Sequence, residues 1–255
     1  MEKCGPARRV KAPTASQAIE QARLEKVMIG WLRLPRMQRV DEVAESQGLS
    51  HREVAARLVI DGWIVCGVGD WATVWRSPEG FQVARVCPFE LAYEVFVELC
   101  RNFAGHALLP RIDFDAPLRG GGRLTVMEFL RPADRPEAEA VMKRWDAAEA
   151  GDPVGAIRFE AERLDGAAAG VIPYWGGVDL NPGNVMIDLA GQVKLVDLFY
   201  SAGEKVFAAL LDNPTEFAAR IPASRRQFMT DIGYAARVWT PEQIAAYREA
   251  AATLP

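Results

Sequence analysis

Residues 176–200 read GGVDLNPGNVMIDLAGQVKLVDLFY. Two carboxylates, Asp179 and Asp197, and one carboxamide, Asn184, stand in a segment otherwise built of apolar and turn-forming residues. Between Asn184 and Asp197 the pattern is that of a β-hairpin. Val-Met-Ile-Asp leads to a Leu-Ala-Gly turn, where Gly191 can take a positive φ, and Gln-Val-Lys-Leu-Val returns with clear alternation. Closing the hairpin projects Asn184 and Asp197 from adjacent strand ends. A carboxamide and a carboxylate there make a hard-oxygen pair suited to Mg²⁺, which takes few protein ligands and leaves room for phosphate oxygens. Asp179 precedes Asn184 across a loop bent by Pro182 and Gly183. It reaches the same space as a group that orients an attacking hydroxyl or accepts its proton.

The rest of the composition bounds what such a site can belong to. The chain has 255 residues, 50% of them hydrophobic and 25% charged, with a formal net charge of -4. That suffices for one large domain or two small lobes with a sizeable core. The mild acidity argues against a nucleic-acid partner, which favours a basic face. No apolar run approaches the roughly 18 residues of a membrane span, and the N-terminus lacks the apolar core of a signal peptide. Cys4, Cys66, Cys87 and Cys100 are scattered singly and only two histidines, His51 and His106, occur. That distribution fits neither a zinc site nor a disulfide framework, and the expected compartment is a reducing cytoplasm.

Outward from the hairpin, the chain divides by period. Residues 1–15, rich in Pro and basic side chains, are expected to be mobile. A helical pattern over 16–34 ends at Pro35, a second short helix covers 40–46, and Ser50 with Glu53 forms a capping box that opens a helix through Ile60. Residues 16–60 therefore read as an N-terminal helical extension. The helices flanking Gly48 look like a helix-turn-helix on paper, but their face is not basic. In 61–130, WIVCGVG, ATVWRS and FQVARVC read as an antiparallel meander. A helix from Pro88 to Phe103 follows, then strands at 110–116 and 123–130 joined by Gly120-Gly121-Gly122. Residues 131–255 are helical around the hairpin, with a break at Gly151-Asp152-Pro153. The order predicts an α+β chain of two lobes hinged near Glu128 to Pro132.

The set Asp179, Asn184 and Asp197 resembles the catalytic and metal-binding segment of the protein kinase superfamily, whose pattern is HRDxxxxN, a hairpin and DFG. Pro-Gly-Asn also resembles the antibiotic phosphotransferase branch, with its HGDxHPGN. Gly67-Val68-Gly69-Asp70-Trp71-Ala72-Thr73-Val74 is similar to the glycine-rich loop GxGxxGxV, and Val83-Ala84-Arg85-Val86 to the strand that carries its phosphate-gripping lysine. The compact early protein kinases of tailed bacteriophages share this order, together with Ala92-Tyr93-Glu94-Val95-Phe96, Leu109-Pro110 and the loop from Asp179 to Met186. The likeness covers roughly residues 60–200. It implies a bilobal protein kinase-like fold: a small antiparallel β lobe with one helix and a reduced helical C-terminal lobe. It further implies ATP and Mg²⁺ as cofactors, with Asn184 and Asp197 on the metal and Asp179 as the catalytic carboxylate. Arg85 would lie on the phosphates and pair with Glu94 or Glu98. Met127 would be the gatekeeper, and the backbone of Glu128 and Leu130 would face the adenine.

Several positions depart from that pattern. Gly177 and Val178 replace the His-Arg pair, Asn181 stands where a phosphate-contacting lysine is usual, and Leu198-Phe199 follow Asp197 in place of Phe-Gly. Arg85 keeps a charge but is not interchangeable with a point-charge ammonium. Three readings therefore stand. The first is a minimal Ser/Thr protein kinase acting on bacterial host proteins or on itself, in the host cytoplasm if phage-encoded. The second is a pseudokinase acting as a binding or inhibitory protein. The third is a small-molecule phosphotransferase of the aminoglycoside type.

Overall fold

Ser50 begins the first described helix, α1 (His51–Ile60), as its N-cap. Its hydroxyl accepts from Glu53 N while the Glu53 carboxylate accepts from Ser50 N at 2.6 Å, so two free backbone donors are satisfied reciprocally. The structure, a computed structural model, describes residues 48–149, 151–233 and 239–254. All belong to the second of two units, Met1–Pro35 and Arg36–Pro255. The expectations for residues 1–15, 16–34 and 40–46 lie outside the described residues.

Five strands make one antiparallel sheet: β1 (Ile64–Val68), β2 (Thr73–Arg76), β3 (Gln82–Cys87), β4 (Ile112–Pro117) and β5 (Arg123–Glu128), in the order β1-β2-β3-β5-β4. The meander is the expected one, and its register sets Arg85 between Val74 of β2 and Thr125 of β5. The helix that follows, α2 (Tyr93–Asn102), starts later than expected. Residues 88–92 are not helical because they are pinned elsewhere: Glu90 N donates to the Gly121 carbonyl at 2.8 Å.

Below the sheet, β6 (Arg131–Pro132) pairs with β8 (Val185–Ile187), and β8 with β9 (Val193–Leu195), the expected hairpin. Before it come α3 (Arg135–Asp146) and α4 (Pro153–Ala168), interrupted where Asp152 accepts from Val154 N and Pro153 takes the first helical position. A two-stranded ribbon of β7 (Trp175–Val178) and β10 (Phe199–Ser201) brackets the hairpin. The chain ends in α5 (Gly203–Asp212), α6 (Pro214–Arg220), α7 (Ala223–Arg226) and α8 (Pro241–Ala252). No helix among the described residues is long and apolar enough to cross a membrane.

Two apolar cores among the described residues frame the hairpin and α2. One unites Phe96, Val97 and Leu99 of α2 with Ile157 and Leu164 of α4, Leu195 of β9 and Met127 of β5. The other unites Val206, Phe207 and Leu210 of α5 with Phe217, Met229, Tyr247 and two residues just ahead of α2, Phe89 and Leu91. At about 1.5–3 kcal/mol per fully buried side chain, both are substantial. Glu90 sits between two anchors of the second core.

That second core reaches back to the sheet lobe through residues 225–231. A Cβ on Gly121, whose φ is 95°, would lie 1.9 Å from the Arg225 carbonyl oxygen, so only glycine allows the approach. The Phe228 ring meets His51 edge-on at 4.9 Å. Asp231 accepts from Arg52 Nε at 2.7 Å and lies 3.0 Å from His51 Nε2. Burial alone would raise the Asp231 pKa, but the His51 and Arg52 donors hold it below the ordinary aspartate value. A depressed carboxylate pKa stabilises the fold fully above the unfolded-state pKa, and that gain is lost as pH falls through the folded-state pKa. Asp231→Asn should therefore cost about 1–2 kcal/mol near neutrality. In thermal melts across pH, the gap to wild type should close only in acid below the ordinary aspartate range.

Candidate active site

Arg85 is 8% exposed, so its charge needs partners. The sequence offered Glu94 or Glu98; the structure provides Glu90. Arg85 Nη1 donates to Glu90 Oε2 at 2.8 Å, and the guanidinium lies over the Tyr93 ring at 3.7 Å. Glu94 points to Arg123 at 3.3 Å and is largely exposed; Glu98 is exposed as well. The reason is the late start of α2, which turns both glutamates outward and leaves Glu90 just ahead of the helix. There its other oxygen accepts from Leu91, Ala92 and Tyr93 N at 3.0–3.1 Å, capping α2 in place of its Ala92 N-cap, which makes no side-chain bond. Burial opposes ionisation of Glu90, but Arg85 and these amides hold its pKa below the usual glutamate value. Burial likewise opposes the Arg85 charge, and Glu90 and Asp197 more than offset it.

The opening segment folds around Asn184. Its Nδ2 donates to the Asp179 carbonyl at 2.7 Å, the Asp197 carbonyl at 3.2 Å and Asp179 Oδ2 at 3.4 Å. The amide nitrogen is thereby committed to the two aspartates, and among the described residues Oδ1 receives no hydrogen bond. Asp179 N donates to the Leu198 carbonyl, and Val196 N to the Asn184 carbonyl, which ties all three candidate residues to one hairpin base. Asp197 has a φ of 53°, a left-handed backbone unusual outside glycine and of the kind that clusters at functional sites. Asn181 lines the same space; its Nδ2 donates to Asp179 Oδ1 at 2.9 Å and its Oδ1 accepts from Gly183 N, so the amide orients the Asp179 loop while keeping a second N–H.

These residues share a cavity of about 650 Å³ with the loop between β1 and β2. Gly69, Asp70, Trp71, Ala72, Val74, Arg85, Glu90, Asp179, Asn181, Asn184 and Asp197 all line it. Gly69 N donates to the Ala72 carbonyl at 2.9 Å to close the loop, and the Cys87 thiol lies 3.1 Å from the Trp71 carbonyl beneath it. Gly67 and Val68 lie in β1 and Ala84 is fully buried; none of these three lines the cavity. Met127, Glu128 and Leu130 do not line it either. Met127 is core, the Glu128 carboxylate accepts from Arg111 N, and Phe129 N between them donates to the Phe81 carbonyl. The geometry brings together the residues expected at phosphates and metal, and leaves those expected at the base outside this cavity.

Asn184 Oδ1 and the Asp197 carboxylate are the oxygen donors a Mg²⁺ ion would use. Among the described residues, no group of three or more His, Cys, Asp and Glu side chains gathers to hold a metal. A carboxylate–carboxamide pair is the sparse set that suits Mg²⁺ alongside phosphate oxygens. The Asp197 side chain keeps 48% of its surface free and lines the cavity. Its pKa is raised above the ordinary aspartate value, mainly by burial and despite Arg85, with Glu90 and Asp179 adding to the rise. Arg85 Nη2 stands 3.8 Å from Asp197 Oδ1, so one cation already faces the carboxylate.

Sequence reasoning missed Glu90 and Tyr93. A signal existed: an acidic residue just ahead of a helix favours the positive end of its dipole, and Glu90 takes that role once the helix start is placed at Tyr93.

Neither a protein-family model nor a curated protein matches the chain. Among solved structures it is similar to WbdD, at 13% identity and a TM-score of 0.27, over 72% of this chain and 44% of that one. A second is the co-crystal structure of WbdD and the kinase inhibitor LY294002, at 13% identity and 0.28, over 76% and 45%. The chain thus spans less than half the length of these structures, and so low an overlap leaves its own geometry to define its site.

If Glu90 rather than a helix glutamate holds Arg85, the three positions should differ sharply in equilibrium denaturation. Glu90→Ala strands a buried guanidinium and three amides and should cost about 3–5 kcal/mol. Glu94→Ala and Glu98→Ala should each stay within about 1 kcal/mol of wild type.

Proposed function

We propose that the chain is an ATP- and Mg²⁺-dependent phosphotransferase of protein kinase-like fold, acting on a hydroxyl. One observation carries the reading: Asp179, Asn184, Asp197 and the Arg85–Glu90 pair converge on a single cavity under the β1–β2 loop. In that reading Asn184 and Asp197 hold the ion, which when bound neutralises phosphate charge. Arg85, clamped by Glu90, presents its fixed charge to the phosphates, and loop amides over Gly69–Ala72 cover them. Asp179, oriented by Asn181 and Asn184, accepts the hydrogen of the incoming hydroxyl. Phosphoryl transfer asks little more of a protein than this positioning and charge stabilisation. The acceptor expected from the family resemblance is a serine or threonine, of a bacterial host protein or of the chain itself.

The Arg85–Asp197 contact supports a second reading, a nucleotide-independent binding protein in which arginine stands in for the ion. Intact-mass spectrometry after incubation with Mg·ATP separates these and a third chemistry. Transfer predicts a mass gain of one phosphate on the chain or on added host protein, abolished in Asp197→Ala and reduced roughly 100-fold or more in Asp179→Asn. A gain of one AMP would replace phosphoryl by nucleotidyl transfer. No gain, with biological activity kept in both variants, would leave the binding protein. Arg85→Lys should lose about tenfold or more in rate, because a lysine cannot keep the Glu90 and Tyr93 contacts together.

A further inference from the structure

The β1–β2 loop is held by the C-terminal part of the chain at two places. Gly69, Asp70, Trp71 and Ala72 line the cavity, and the bond from Gly69 N to the Ala72 carbonyl closes their turn. The half-buried Trp71 packs against the second apolar core, with its ring 6.2 Å from that of Phe89. A loop of the sheet lobe thereby rests its largest side chain on the core built by α5, α6 and α8.

The second hold comes from residues 228–233. A Cβ on Gly233 would lie 3.3 Å from the Gly69 carbonyl oxygen and 3.8 Å from that of Asp70, so this backbone abuts the loop. The segment is itself anchored. Met229 and Ile232 are buried in the second core, and the Tyr247 hydroxyl donates to the Met229 carbonyl at 2.8 Å. Asp231 between them is tied to Arg52 and His51 of α1.

We propose that Trp71 is a positioning residue, a latch that fixes the β1–β2 loop to the C-terminal core with Gly233 as its backstop, so that a ligand enters and leaves the cavity only as the latch opens. Opening costs the contact between the indole and the core, which makes it a local event separate from unfolding of the sheet or the hairpin. Gly67 and Gly69, at the entrance of the loop, supply the backbone freedom for the movement. That the ligand is a nucleotide rests on the phosphotransferase reading; the latch does not.

The test is hydrogen exchange of the full chain read by mass spectrometry, with the β8–β9 hairpin as internal reference. Trp71→Ala should speed exchange of the β1–β2 loop amides roughly tenfold or more and leave the hairpin unchanged. Trp71→Phe, which keeps a ring against the core, should stay within about twofold of wild type. Arg52→Ala, at an exposed position of α1, loosens residues 228–233. It should speed the loop about threefold, and it keeps the test valid if Trp71→Ala does not fold. Loop exchange equal to wild type in the alanine variants, or hairpin exchange that rises as much as that of the loop, would overturn the latch. A second arm follows binding of Mg²⁺ and the non-hydrolysable β,γ-imido analogue of ATP by stopped flow. A latch slows entry and exit alike, so Trp71→Ala should raise both rates about fivefold and keep Kd within about threefold. Faster exit alone would make Trp71 a ligand contact and sink the latch. Should the analogue not bind wild type, the phosphotransferase reading fails alone, and the exchange result still decides the latch.

Discussion

A guanidinium buried at the centre of a sheet is the constraint from which the rest of the site follows. Arg85 is fixed by the β2–β3–β5 register, and burial of its charge demands a carboxylate within reach. Glu90 meets the demand and at the same time caps α2, so one side chain sets both the charge balance and the start of the helix. Tyr93, the first residue of that helix, then lies beneath the guanidinium plane. The helix start and one wall of the cavity therefore both hang on this one ion pair.

The hairpin residues answer a different demand, that of placing two acidic groups close together without neutralising them. Asn184 does this by directing its amide hydrogens mainly to the backbone carbonyl oxygens of both aspartates, at 2.7 and 3.2 Å, with only a longer contact to the Asp179 carboxylate. Asp197 accepts a left-handed backbone to face the same way. With Arg85 at 3.8 Å, its charge is partly answered from inside the protein, which is why both the phosphotransferase and the binding-protein readings grow from the same contact.

Much of this was legible in the sequence, and the parts that were not share a cause. The sheet meander, the hairpin and the Ser50 capping box were plain because alternation, turn glycines and caps act over a few residues. Asp179, Asn184 and Asp197 were legible for the same reason: a hairpin of known length fixes where its ends meet. The partner of Arg85 was misread because Pro88 signals a helix start, and the local signal was overruled by long-range anchors: Phe89 and Leu91 in the C-terminal core, and Gly121 beside the Glu90 amide. The β7–β10 ribbon escaped notice because its strands have only 4 and 3 residues, with glycines in one of them.

The close approach of Arg225 to Gly121 has a consequence in time as well as in space. Glu90 is held by a glycine turn some thirty residues further on, and its carbonyl by the Arg225 side chain at 3.3 Å, from the last helices of the chain. Domains grow from the N-terminus during synthesis. The sheet and the hairpin can therefore form on the ribosome before the ion pair has its frame, and the site is completed only once the final fifth of the chain has emerged.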